Sequence, residues 1–376
     1  MMHTAARPRS TPSESTHPAV NLKTRVGQIQ DILDRERIGA NDMSRSGSLE
    51  LGIGGGGVIE DPTQLPSIWP LRIERLEGPI VARPVVQADP GASQFRYFLD
   101  GSQQTLPVWR IGLVPIVVGL SAVGILERDD AGAPWLSGET FGSKQAWIFP
   151  LETGRPDLER LADILSVTGD LHDPLYDRHD RRFEHYEYLA GHYGKLVYNA
   201  RDLANRLRAQ QESLLLSRWR SDISPLAPDA WIAVDGRLAG NVPNAVGLVK
   251  DLQTQHLVGH EAETLFNLPQ GHRTTAFRYV SNAGDHAGTA TEGRTMWYMR
   301  LWDASGMDAR HSLVRVEAAH EVAMTEQIDE ISGWLLAERI PRARNDPRWP
   351  TLLYPIHYLE LILKRHLSSV TAGWPS

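Results

Sequence analysis

Apolar positions change their rhythm several times along the chain. Val20, Leu22, Val26, Ile29, Ile32 and Leu33 recur at helical spacing, which predicts an amphipathic helix over residues 20–38. From Leu71 to Pro150 the runs become strand-like: "PLRIERLE", "FRYFLDGS", "WRIGLVPIVVGLSAVGILE" and "QAWIFPLE". Helical spacing returns over residues 177–220, with Phe183, Tyr186, Leu189, Tyr193, Leu203 and Leu207 on one stripe. Beyond it, "DAWIAVDGRLAG" predicts a strand ending in Asp-Gly, and "NAVGLVKDL" a short helix. "TMWYMRLWDASGMDARHSLVRVEAA" predicts two antiparallel strands joined by a turn over 304–308. "EQIDEISGWLLAERI" and "PIHYLELILKRHL" predict two closing amphipathic helices. Two strand groups parted by a long helix, with helices at the end, predict an α/β fold: one mixed sheet flanked by helices.

Composition narrows this only a little. The chain has 376 residues, 41% hydrophobic and 23% charged, enough to bury a large core. Residues 1–20 are rich in Ser, Thr, Pro and Arg and are expected to be disordered. The first helix and a Gly-rich connector, "LGIGGGGVIEDP", occupy 21–70, and the main domain is expected over 71–376. No cysteine occurs, which excludes disulfides, thiolate zinc sites and a cysteine nucleophile. The start lacks the apolar segment of a secretory signal. The most apolar run, Ile111–Leu126, is about 16 residues against the roughly 20 of a membrane helix. A cytoplasmic protein is the expectation. The net charge of −7 argues against a generally basic nucleic-acid binder, although an acidic metal site in a nuclease remains compatible with it. The Gly-rich connector is followed by no Lys-Ser/Thr pair, so it is not a phosphate-binding loop.

"FRYFLDG" and "WIAVDG" share one design: apolar or aromatic positions, then Asp, then Gly. Each alone reads equally as a strand ending at a turn. If the two strands are neighbours, Asp100 and Asp235 meet at their ends, where two carboxylates repel unless a cation lies between them. Oxygen donors of this kind suit Mg²⁺ or Mn²⁺. "HEVAM" and "HEAET" lack the second His of a zinc-protease helix, and "GLSAVG" is not a nucleophile elbow. His179, His185 and His192 cluster without a third clear ligand and are read as structural.

Five motifs in order carry a resemblance to the NurA nuclease family: "FLDGS" (98–102), "VDGRL" (234–238), "VGLVKD" (246–251), "YMRLW" with "LVRVE" (298–302, 313–317) and "LYPIHYLE" (353–360). The resemblance spans roughly residues 90–370 and implies a ribonuclease H-like fold. It further implies an Mn²⁺-dependent (or Mg²⁺-dependent) DNA nuclease, a 5′–3′ exonuclease or single-strand endonuclease. Such a protein acts as a homodimer on a HerA-type hexameric ATPase, in DNA end processing or defence against phage. Carried over by position, Asp100 and Asp235 are the metal-binding aspartates. A Glu on the helix before the second strand is matched by Glu212, with Glu184, Glu187 and Asp202 as alternatives. The His-bearing C-terminal helix supplies His357, with Glu360 one turn on, and His366 as the weaker candidate. Lys250 and Arg315 are candidate phosphate contacts, and Glu317 a further acidic neighbour. Lys195, Arg201, Arg206, Arg208, Arg218 and Arg220 are candidates to line a DNA channel, or a solvated helix face. A competing reading keeps the fold without catalysis, as a structural adaptor of the ATPase; an actin-like ATPase ranks last.

Overall fold

The computed structural model describes residues 21–36, 43–45, 72–89, 91–128, 133–177, 179–250, 256–280, 293–305, 309–339 and 353–374. The N-terminal tail and the Gly-rich connector lie outside them. In chain order the elements are α1 (Leu22–Glu36), β1 (Met43–Arg45), β2 (Arg72–Arg75), β3 (Ala82–Pro84), β4 (Phe95–Ile111), β5 (Val114–Arg128) and β6 (Pro134–Ile148). Then come α2 (Pro156–Ser166), β7 (Asp170–His172), α3 (Tyr186–Ala190), α4 (Tyr193–Arg218), β8 (Trp231–Asp235), β9 (Ala245–Val249) and α5 (His260–Phe266). The chain closes with β10 (His272–Thr274), β11 (Phe277–Val280), β12 (Thr295–Arg300), β13 (Leu313–Ala318), α6 (Thr325–Glu338) and α7 (Tyr354–Val370).

The strands form one mixed sheet ordered β2-β11-β12-β13-β9-β8-β4-β5-β6-β7. β4, β5 and β6 are an antiparallel meander. β8 lies parallel to β4, and β9 parallel to β8. The parallel register Leu99↔Val234 therefore carries two chain segments, far apart in sequence, into the middle of the sheet. Alternation sends successive side chains to opposite faces. Tyr97, Leu99, Ile232 and Val234 pack with Leu216 and Trp219 at the end of α4 and in the turn after it. Phe98 and Ala233 point the other way and share a core with Ile331 of α6 and Leu359 and Leu363 of α7. The result is an α/β molecule whose sheet is flanked by helices. Among the described residues no helix is long and apolar enough to cross a membrane.

Three expectations from patterning are corrected. "NAVGLVKDL" is a strand, β9, buried on both faces; a short, continuously apolar run has no period that separates strand from helix. β4 does not end at Asp100-Gly101 but continues to Ile111, because those two residues pair with Gly124 and Val123 inside the β4–β5 ladder. The long helix begins at Tyr193 rather than near Asp177, and His192 caps it, its Nδ1 accepting the Lys195 amide at 3.2 Å.

Candidate active site

Asp100 and Asp235 each follow a residue of the Leu99↔Val234 pair on adjacent parallel strands. Leu99 and Val234 point under α4, so alternation turns both aspartates toward the α7 face. Asp100 is only 4% exposed. Its Oδ1 accepts the Gly101 amide at 2.7 Å, whereas its buried Oδ2 receives no hydrogen bond. Burial, then the Asp235 charge, hold the Asp100 carboxyl well above the ordinary range; Glu212 and Glu360 add to this and Lys250 opposes it.

Glu212 reaches the cluster from α4, on the far side of the sheet. It does so over Gly101, where a β-carbon would lie 3.0 Å from Glu212 Cδ and overlap Oε1. Glycine at 101 is thus the opening through which the helix carboxylate approaches the strand. Arg208, one turn earlier, pairs with Glu212. Burial nevertheless pushes the Glu212 carboxyl up to about 7, against the Arg208 guanidinium and with help from the Asp235 charge.

Asp235 closes β8, and Gly236 (φ 97°) turns the chain immediately after it. Both Asp235 oxygens lie 2.8 Å from Lys250 Nζ. On α7, Glu360 accepts from Lys364 at 2.8 Å, and His357 Nδ1 lies 3.7 Å from its other oxygen. His357 Nδ1 itself is buried and makes no hydrogen bond. The charges of Asp235, Glu212 and Glu360 all act on Asp100, and each of those three carboxylates carries a paired cation. Asp100 is the exception.

The other candidates lie elsewhere. Glu184, Glu187 and Asp202 are largely exposed, and Asp202 pairs with Arg206. His366 packs edge-on against Phe141. Arg315 is 1% exposed, its NH2 group 2.8 Å from Glu317 Oε1, and Arg294 holds the other Glu317 oxygen at 2.8 Å. Its register partner is Val249, which alternates with Leu248, the partner of Asp235, so Arg315 points to the opposite face from Asp235. Arg315 is a buried ion-pair partner rather than an open phosphate contact. Among the channel candidates, Arg208 serves Glu212, Arg206 serves Asp202 and Arg218 pairs with Asp222. Sequence reasoning named Glu360 only as the neighbour of His357 and did not name Lys364. Their i, i+4 spacing on the helix of His357 was the available signal.

Among the described residues, no three His, Asp or Glu side chains stand close enough together to hold a metal ion as they are now arranged. Lys250 and Arg208 hold Asp235 and Glu212 in that arrangement. The donor set still fits a hard divalent ion: it is made of carboxylate oxygens with one imidazole beside them, and its most buried oxygen lacks any donor. No protein-family model matches the chain, and no curated protein is significantly similar to it in sequence.

Proposed function

We propose that this protein is a metal-dependent DNA nuclease of NurA type, built on a ribonuclease H-like sheet. The five central strands, β6-β5-β4-β8-β9, support that fold: an antiparallel meander is extended by two parallel strands, and acidic residues stand on the first and fourth strands in chain order. The observation that carries the functional reading is Asp100, a buried carboxylate with a donorless oxygen on which the charges of Asp235, Glu212 and Glu360 act. A buried carboxyl whose surroundings disfavour its charge is costly to stability and marks a candidate for chemistry.

In this reading Asp100, Asp235 and Glu212 hold Mn²⁺ or Mg²⁺. When bound, such ions lower the pKa of a water and stabilise the charge that develops on a phosphodiester. Asp100, fixed in mid-strand, supplies the rigid ligand; Gly101 admits Glu212; Gly236 sets Asp235 at the strand end. His357, on the first turn of α7, stands beside the cluster to orient a phosphate or hold a proton at Nδ1. Lys250, now paired with Asp235, is the cation this reading assigns to a phosphate oxygen. The partners follow from the same resemblance: a HerA-type hexameric ATPase, a second copy of this chain, and DNA. The glycine run is followed by no Lys-Ser/Thr pair, which agrees with a motor on a separate chain. A cytoplasmic setting belongs to the same proposal.

A structural adaptor without catalysis is the second reading, favoured by the salt bridges that now occupy Asp235 and Glu212. One assay separates the two. Purified protein with Mn²⁺ is expected to degrade single-stranded DNA, and folded Asp100→Asn to lose about 10³-fold or more, as several kcal/mol of transition-state stabilisation imply. Equal rates, or no cleavage by the wild type with or without the ATPase, would reject the nuclease.

A further inference from the structure

The three cations around Asp100 are not equivalent. Arg208 and Lys364 each sit four residues from their acids on the same helix, a pairing that any helix makes locally. Lys250 is different: it lies beyond β9 and meets Asp235 of β8 only through the folded sheet. Its ammonium touches both oxygens of one carboxylate and its charge acts on the buried Asp100 beside it. It occupies Asp235, one of the two aspartates that would hold a divalent ion.

We infer that Lys250 is a tethered counter-ion, occupying Asp235 until a divalent cation displaces it. The inference rests on the nuclease reading for its purpose but not for its test. Four carboxylates against Lys250, Arg208 and Lys364 leave at most one net negative charge, and less while Asp100 or Glu212 holds a proton. An added divalent ion would overcompensate that charge unless a resident cation leaves. Lysine suits the part: a single charge on a flexible stem, with no planar fork to lock it in place. Only the Nζ contacts with Asp235 must break. While Lys250 holds both Asp235 oxygens, that carboxylate is not free to serve as a metal ligand.

Competition of this kind has a signature that a purely structural salt bridge lacks: removing the lysine strengthens cation binding. Mn²⁺ is titrated calorimetrically into the full chain at pH 7.5 without DNA, for wild type, Lys250→Met and Lys250→Arg. Lys250→Met is expected to bind at least about tenfold more tightly, having lost a competing charge within a few ångströms. Lys250→Arg is expected to return affinity to the wild-type level or below. Affinity that is equal or weaker in Lys250→Met overturns the inference. Should that variant misfold by circular dichroism, Lys250→Gln is measured instead, with the same outcomes. A protein that tightens on Mn²⁺ in this way yet cleaves no DNA would refute the nuclease alone. One that cleaves DNA with unchanged Mn²⁺ affinity would refute the counter-ion alone.

Discussion

Glu77, in the bend after β2, accepts two guanidinium nitrogens of Arg273 at 2.6 and 2.8 Å and the Ala276 amide at 2.6 Å. Asp100, on β4, accepts only the amide of the residue that follows it. Both carboxylates are almost sealed from water, with the Glu77 side chain 2% exposed. Burial works to raise Glu77, but the bidentate Arg273 pair and the amide overcome it and hold the group at about 2. At Asp100 burial wins, and the surrounding acids reinforce it. The two sites show what completed and incompleted neutralisation look like in one sheet. Glu77 joins β2 to β10 and to Asp329 of α6 through Arg273, and is explained by structure alone. Asp100 ties nothing together, and its surroundings work against its charge.

The largest effect expected from breaking this contrast is at the structural pair. Arg273→Met takes from Glu77 its bidentate cation, leaving the Ala276 amide and Arg83 at 3.5 Å, and is expected to cost about 3–5 kcal/mol in urea unfolding. Asp100→Asn is expected to leave metal-free stability unchanged or raised, because burial and the neighbouring acids disfavour the charge it removes more than Lys250 favours it. If Asp100→Asn destabilises as much as Arg273→Met, the two carboxylates are alike and the contrast fails.

A smaller effect, with opposite signs at the two ends of the pH scale, concerns Glu77 and Glu212. Glu77 titrates near 2 in the folded chain against an ordinary 4.5, so the stability it contributes is present above pH 4.5 and lost as pH falls toward 2. Glu212 titrates near 7 against 4.5, so the folded state holds the extra proton between those values. Stability of the metal-free protein therefore falls as pH rises from about 4.5 to 7, by up to about 3 kcal/mol from this group at 1.36 kcal/mol per unit. Glu212→Gln is expected to remove most of that slope while leaving the acid-side loss intact. Denaturant titrations at several pH values measure both.

Much of the sheet was legible from alternation and turn chemistry. β4, β8, β12 and β13 announce themselves by apolar and aromatic runs, and α6 and α7 by their stripes. β9 did not, because a strand buried on both faces loses the period that would mark it. Asp-Gly at 100–101 suggested a turn, yet here the glycine serves a close approach from α4 rather than a change of direction. Asp100 and Asp235 were readable as a pair only through the repeated strand-Asp-Gly device. Lys250–Asp235 was not readable as a contact, since cross-strand partners depend on register. Arg315, a cation flanked by apolar residues, read as a candidate phosphate contact; alternation instead points it into a buried ion pair with Glu317.

The central claim is that the donorless Asp100 carboxylate belongs to a cation site. Thermal unfolding of wild type and Asp100→Asn across a Mn²⁺ titration tests it without relying on cleavage, since an ion that binds only the folded chain raises Tm with concentration. The account predicts a Tm that climbs with Mn²⁺ in the wild type and stays flat in Asp100→Asn. Parallel curves for the two proteins would contradict it.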